Sequence, residues 1–401
     1  MVELKVMKRA DLSPDVRATL VRLPPPHDSH YGVVPAAPPE GGLILAAVAA
    51  RHRAAEEALA KVDAYARSLH DPYVVSRILS RQEAVSSSSI EGTHSTLDEV
   101  LAGEETQDEA AGTAVRLVRR YATTVSRFIK QAHRQGNAVF SAKMVRRLHK
   151  RIMQDDPDYR DPPGDLRAVS VWIGGREMAY SIFNPPPASE VESCLEDSVR
   201  YMRAEGLHAI QQSLITRMAV AHAHFEAVHP FRDGNGRVGR MLLPIMMAAD
   251  GRTPLYLAPY IEANKTAYVD ALKAAQQRLD WAAMIGFLSD AVVGSTDELF
   301  STRAGLETLA TRWRARRAFR RKSSALRALA VLPQYPVITI PRLATLLKVT
   351  YPAAATAVAQ LQEIKVLVER TGYARNRVFA ASEALSILNR PFGEEPIIPE
   401  F

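Results

Sequence analysis

A single cysteine, Cys194, stands in a chain of 401 residues, which excludes an internal disulfide framework and points to a reducing compartment. A cytoplasmic protein is therefore the expectation, held together by its apolar core alone. Long apolar runs are missing as well. No stretch approaches ~20 uninterrupted apolar residues, and Met1 to Leu20 alternates charged and apolar residues where a signal peptide would carry an apolar block. No membrane association is expected. Internal repeats are also lacking, which sets aside solenoids and propellers. The formal charge of +7 permits an acidic partner. Much of that excess falls in one stretch, Arg312, Arg314, Arg316, Arg317, Arg320, Arg321 and Lys322, so net charge by itself decides little.

What is present fits two or three globular domains. Pro24 to Pro26 and Pro35 to Pro39 predict an extended entry segment, because proline removes backbone donors and disfavours helix in the residue before it. Helical periodicity then dominates: about Leu43 to Leu69, Val74 to Val85 after an interruption at Asp71-Pro72, Ala114 to Gln135, Ala142 to Met153, Ala188 to Ala204 and His208 to His229. One segment departs from this texture. Val169, Val171 and Ile173 alternate before Gly174-Gly175, and Met178, Tyr180 and Ile182 alternate after it, which predicts a β-hairpin.

The stretch His229-Pro230-Phe231-Arg232-Asp233-Gly234-Asn235-Gly236-Arg237-Val238-Gly239-Arg240 carries the chemistry. Pro230 halts one helix, and Gly234 and Gly236 free the backbone to turn its amides toward an anion. The helix that follows points its positive end at the same place. Arg237 and Arg240, three apart, share a face and can grip phosphate oxygens. Asp233 offers a hard oxygen ligand for Mg²⁺, and His229 can take a proton near neutral pH. Taken singly these residues suit a plain helix cap; twelve together suit a polyphosphate site. His222, Glu226 and His229, at i, i+4 and i+7, share one helix face and leave a metal site as an alternative.

This stretch matches the Fic motif, H-P-F-x-D-G-N-G-R-x-x-R, at every specified position, and the chain resembles Fic proteins over most of residues 45 to 390. The resemblance includes Pro163-Gly164, Arg167, Trp172-Ile173-Gly174, Ala221 to Glu226 and Trp281. It implies a mainly α protein: a Fic-type helical bundle with a β-hairpin flap, plus a C-terminal winged helix-turn-helix domain. The layout it implies is an N-terminal helical region at 1–112, a catalytic core at 113–295 with the flap at 166–183 and the motif at 229–240, a basic helical linker at 296–323, and a winged-helix domain at 324–401. The implied activity is transfer of AMP from ATP to a protein hydroxyl, with His229 as general base and Mg²⁺ on Asp233. Gly234, Asn235 and Gly236 form the anion hole; Arg237, Gly239 and Arg240 lie on the ATP side with the two arginines on the outer phosphates. Relatives that phosphorylate carry Lys where this chain has Gly236.

Ser86-Ser87-Ser88-Ser89-Ile90-Glu91-Gly92-Thr93 reads, on residues alone, as poor helix interior and good cap material. The resemblance implies instead an inhibitory helix at 86–93 (Ser87, Glu91, Gly92) whose Glu91 occupies Arg240. It also implies adenosine contacts from Tyr268 and Gln276, a target protein docked on the flap by strand addition, self-modification and a homodimer. In the C-terminal part, Ala325 to Leu332, Ile340 to Leu347 and Pro352 to Ile364 predict three helices before a short hairpin, with Arg370, Arg375, Asn376 and Arg377 on the wing. The third helix offers Ala353, Ala354, Ala355, Thr356 and Gln360 but no arginine, so weak or no DNA binding is expected. The alternative from another class is a DNA-binding transcriptional regulator whose Fic core senses nucleotide.

Overall fold

The computed structural model describes residues 7–68, 73–106, 112–372 and 377–398. Asp71, Pro72, Arg375 and Asn376, which the sequence singles out, lie outside the described residues. The protein is mainly helical, and the chain divides into two compact units. One comprises Met1–Leu69, Ser86–Gly92 and Arg120–Ser295; the other comprises His70–Val85, Thr93–Arg119 and Thr296–Phe401.

The first unit is built around the Leu214–Val228 helix, every residue of which is buried. A helix apolar on all sides belongs inside a bundle, and this one packs against Ala49–Ser68, Val191–Met202, Asn235–Ala249 and Lys265–Arg278. Ser213 caps it by accepting from the Thr216 amide. That cap also corrects the sequence reading, because the helical pattern over His208 to His229 is split into His208–Gln211 and Leu214–Val228. The Ala142–Met153 helix has the expected ends, capped by Ser141. At the N-terminus, the prolines at 24–26 lie in the connection between two short antiparallel strands, Leu20–Arg22 and Tyr31–Val33, which periodicity did not reveal.

The expected hairpin at 166–183 is a single antiparallel bridge, Ile173 with Phe183. The strands fail to extend for a local reason: Gly174 and Gly175 both take positive φ, and Met178–Tyr180 coils into a 3₁₀ turn. The loop is closed by Ile173 N–H donating to Phe183 O at 2.9 Å and Ile182 N–H donating to Ile173 O at 2.7 Å. The serine-rich segment differs as well. Helix Tyr73–Ile90 runs through all four serines, so they are helix interior, not caps.

In the second unit, Ser324–Val331, Ile340–Leu347 and Tyr351–Glu363 form three helices. Strand Val337–Thr339, unforeseen in the sequence, pairs with Val378–Ala380, which also pairs with Val368–Glu369, giving a sheet in the order first, third, second. Trp313, Leu329, Leu361 and Phe379 lie in its core. Among the described residues no helix is long and apolar enough to cross a membrane.

Candidate active site

The central helix ends at His229, whose φ of 48° is left-handed. A non-glycine residue there needs support, and Arg167 supplies it. Its buried guanidinium donates to His229 O at 2.8 Å, Pro186 O at 2.6 Å, Val169 O at 3.0 Å and Val228 O at 3.3 Å. A cation over the last carbonyls of a helix is favourable. Burial lowers the Arg167 pKa to about 10, which leaves it charged.

The turn that follows is fixed by Asn235. Its Oδ1 accepts from Phe231 N–H at 2.8 Å, and its Nδ2 donates to Phe231 O at 2.7 Å. His149, which sequence reasoning missed, holds the same turn from the other side. Its Nδ1 accepts from Gly164 N–H at 2.9 Å, which puts the ring proton on Nε2, 3.0 Å from Asp233 O. Its ring stacks on Phe231 at 3.8 Å, and burial pushes its pKa down to about 4. Gly234 has a φ of 77° and, having no side chain of its own, starts the Asn235–Ala249 helix without a side-chain cap from the cap residue. Those first-turn amides therefore face the site without a protein acceptor on the cap residue.

Arg240 is 2 % exposed and lies among the largest fully buried side chains. Its Nε donates to Ser87 Oγ at 2.8 Å, and its Nη2 donates to Ser87 O at 2.9 Å and to Glu91 Oε1 at 2.6 Å. The Glu91 side chain is 31 % exposed. Glu91 reaches into the first turn of the motif helix, and a Cβ on Gly236 would collide with its Oε1. Glycine at 236 thus makes the approach of Glu91 sterically open. Lys265 Nζ donates to Ile90 O at 3.0 Å, bracing the end of the Tyr73–Ile90 helix. Arg237 is buried beside Met153, with Asp156 and Asp233 each 3.9 Å from Nη2. The Asp233 side chain is 64 % exposed, and its Oδ1 accepts from Gly234 N–H at 2.6 Å.

His229, Asp233, Gly234, Asn235, Gly236, Arg237, Gly239, Arg240, Ser87 and Glu91 are thus gathered around the first turns of one helix, while Gly92, at a φ of 85°, only follows Glu91 in an open turn. Tyr268 joins them from the side: its hydroxyl is 2.7 Å from His222 Nε2, and it is buried near Arg240. Gln276 does not. It lines an apolar cavity of about 50 Å³ with Val16, Ala36, His224 and Trp281, and no residue of 229–240 lines that cavity. The alternative metal site is not assembled either. His222 is engaged with Tyr268, and no group of three His, Cys, Asp or Glu able to hold a metal occurs among the described residues.

Known proteins resemble the chain in sequence and in fold. Residues 49–127 match the model of the Fic/DOC family N-terminal segment, and residues 139–247 match that of the Fic/DOC family. A probable protein adenylyltransferase of Aquifex aeolicus is 26 % identical over 200 residues, 50 % of this chain and 56 % of that protein. A protein adenylyltransferase of Caenorhabditis elegans is 33 % identical over 112 residues, 27 % of this chain and 20 % of its own length. The matches thus span little more than half of the first relative and a fifth of the second. Among solved structures, a Fic family protein from Desulfovibrio desulfuricans superposes with a TM-score of 0.53 at 18 % identity, over 86 % of this chain and 98 % of that one. Fic-1 of Caenorhabditis elegans gives 0.50 at 20 % identity, over 65 % and 74 %. The likeness to the Fic/DOC family thus lies in residues 139–247, with a likeness to the family's N-terminal segment in residues 49–127.

Proposed function

We propose that the protein is an adenylyltransferase that moves AMP from ATP to a hydroxyl on a protein, and that Glu91 holds it in check. The observation that carries this reading is the Glu91–Arg240 pair, a carboxylate seated at an uncapped helix N-terminus on a buried arginine. Such a place suits a phosphate oxygen. Arg237 and Arg240 would hold the outer phosphates, and the amides of Asn235 and Gly236, joined by that of Gly234 once Asp233 Oδ1 releases it, would face the charge that develops in transfer. His229, neutral because burial lowers its pKa to about 4, would accept the proton of the attacking hydroxyl.

Asp233 fits Mg²⁺. Its carboxylate is largely exposed, as expected for an ion held by one carboxylate, waters and substrate phosphates. When bound, the ion would neutralise phosphate charge. The protein's own contribution is positioning: Asn235 and His149 fix the turn, and Arg167 fixes the backbone of His229.

The loop at 166–183 is the proposed docking edge for the target. Self-modification and a homodimer belong to the same proposal, and size exclusion tests the latter. The helix, strand, helix, helix, strand, strand order of residues 324–380 supports a winged helix. Two of its wing arginines are engaged, Arg370 with Asp98 and Arg377 with Glu369, which argues for weak or no DNA binding over the regulator reading.

The test is incorporation of labelled AMP into the protein and a lysate by wild type, Glu91→Gly and His229→Ala. Glu91→Gly should raise labelling about 10- to 100-fold, the population shift that a ~1.4–2.7 kcal/mol contact can impose. His229→Ala should lower it ~10²–10⁴-fold in that background, with ATP binding retained. Equal labelling by wild type and Glu91→Gly would sink the inhibitory reading, and no labelling by any variant would sink the transfer reading.

A further inference from the structure

Four serines in succession, Ser86 to Ser89, are poor helix interior. Serine offers its own backbone competing hydrogen bonds, and the first turn of any helix is the costly one. Helix Tyr73–Ile90 nevertheless runs through all four. The stretch from Ser86 to Ile90 is far shorter than the ~12–15 residues that an isolated helix needs in water. The turn that brings Ser87 to Arg240 and leads to Glu91 is therefore propagated from residues upstream.

Those upstream residues are rooted elsewhere. The helix is divided between the two units: its residues up to Val85 belong to the second, and Ser86 to Ile90 belong to the first. In the second unit Ile78, 6 % exposed, lies in one apolar cluster with Leu101, Val337, Val378, Leu385 and Leu388. Gln82 Nε2 donates to Leu388 O at 2.8 Å, and Arg81 Nε donates to Glu104 Oε1 at 2.9 Å. Ile78, Arg81 and Gln82, at i, i+3 and i+4, share one face of the helix. Helix Leu97–Thr106, strands Val337–Thr339 and Val378–Ala380 and helix Ser382–Leu388 supply the partners of that face. Ile90 stands ~12 Å of helix beyond Gln82.

We propose that the second unit holds the brake on the active site: its core nucleates helix Tyr73–Ile90, and loosening that root withdraws Ser87 and Glu91 from Arg240. The proposal rests on the inhibitory and transfer readings, and it gives the second unit a function. Two states compete. In one the helix is formed to its end and Glu91 sits on Arg240; in the other the serine turns have melted and Arg240 is open to phosphate. Helix formation is cooperative, so root and tip form and melt together. The contacts of Ile78 and Gln82 then differ between the two states, as any shift of population requires. Regulation thus enters through the second unit, where whatever disfavours the root raises transfer.

The experiment is Ile78→Ala and Gln82→Ala in the full-length protein, alone and with Glu91→Gly, read by labelled-AMP incorporation and by amide hydrogen exchange at Ser86 to Ile90. Ile78→Ala, a large-to-small change in a core, should raise labelling at least about 10-fold, bounded by the Glu91→Gly level. Gln82→Ala loses one neutral hydrogen bond and should raise it about 2- to 5-fold. With Glu91→Gly present, both should act less than about two-fold, because one brake can be released only once. Exchange at Ser86 to Ile90 should quicken by similar factors. In Gln82→Ala the Tyr351–Glu363 helix should keep its protection, the sign of a folded second unit, and this variant decides where Ile78→Ala fails to fold. Unchanged exchange at Ser86 to Ile90 in Gln82→Ala would overturn the proposal, and so would labelling that rises as much with Glu91→Gly present as without it. If Glu91→Gly labels no better than wild type, the inhibitory reading falls; if nothing labels, the transfer reading falls. Exchange alone then judges whether the second unit holds the helix.

Discussion

Arg240 is a cation at 2 % exposure, and its neighbours explain how it stays charged. Burial would lower its pKa, but Glu91, Tyr268 and Tyr121 hold it above the ordinary arginine value. The partner obeys the same balance. Burial would raise the Glu91 pKa, and the charge and hydrogen bond of Arg240 outweigh it, so the net shift is downward. A carboxylate depressed in this way contributes stability that is present above its unfolded pKa of ~4.3 and is lost only as pH falls through its lower folded value. The Glu91–Arg240 contact, inhibitory in the proposed reading, should therefore survive mild acid. The ratio of labelling by Glu91→Gly to that by wild type should stay within about two-fold from pH ~6 to ~8, because Glu91 protonates only below that window and Arg240 stays charged throughout it. A ratio collapsing toward one near pH 6 would show that something other than this ion pair restrains the site. Asp233 makes a second residue-scale prediction. Asp233→Ala in the Glu91→Gly background should remove both activity and its response to added Mg²⁺; labelling that still rises with Mg²⁺ would place the ion on another group.

The Tyr73–Ile90 helix shows where element-level reasoning from sequence succeeds and where it stops. Periodicity located several helices well, including Ala142–Met153 and Thr113–Gln135, because a stripe of apolar residues is a local signal; it missed the longest described one, Trp281–Ala315, of which the expected basic linker at 296–323 covers only the second part and overruns the end. The four serines carry the opposite local signal, and tertiary partners override it. Ser87 and Ser88 are buried, and Ser87 binds Arg240 through both its hydroxyl and its carbonyl. The single-bridge loop at 173–183 was similarly hidden, since alternation fixes neither ladder length nor the 3₁₀ turn that shortens it. Within the site, the twelve motif residues were legible because glycines, arginines and a histidine at that spacing have few other uses. Arg167, His149 and Lys265 act through backbone carbonyls and amides brought from distant segments, for which no spacing rule exists. The helix itself yields a graded prediction. Ser87→Ala removes a buried hydrogen bond to a charged group, worth ~1.5–3 kcal/mol, and should raise labelling about 10-fold. Lys265→Ala removes an exposed contact and should raise it less than about 5-fold. Labelling assays on the two single variants decide the order, and a larger effect from Lys265 would mean that the end of the helix, not Ser87, anchors it.

Across the whole molecule, buried titratable groups collect in the unit formed by residues 1–69, 86–92 and 120–295. Burial lowers His149, His224 and His229 to about 4 and His222 to about 3, while it raises Glu226 to about 8. The signs oppose each other. An unfolded chain protonates its histidines near pH ~6.5, whereas the folded unit keeps these four neutral to about pH 4. Their contribution is thus fully present above ~6.5 and is lost as pH falls through the window below it. Glu226 works the other way. The unfolded carboxyl ionises above ~4.3 while the folded one stays protonated to about pH 8, so stability declines as pH rises across that interval. Each group changes stability by at most ~1.4 kcal/mol per pH unit inside its window, and His229, with a side chain 19 % exposed, contributes less. Below pH ~6.5 up to four histidines outweigh one glutamate; above it only the glutamate acts. The unit should accordingly be most stable near pH 6.5–7, with a steep acid side and a shallow alkaline one. Because a chain of two units need not unfold in one step, the measurement is amide hydrogen exchange of the Leu214–Val228 helix against pH, corrected for intrinsic rates. Protection should fall several-fold faster per pH unit below 6 than above 7, as the proton counts require. Glu226→Gln should flatten the alkaline side and leave the acid side steep. An acid side as shallow as the alkaline one would mean that the four imidazoles are not held neutral by the fold.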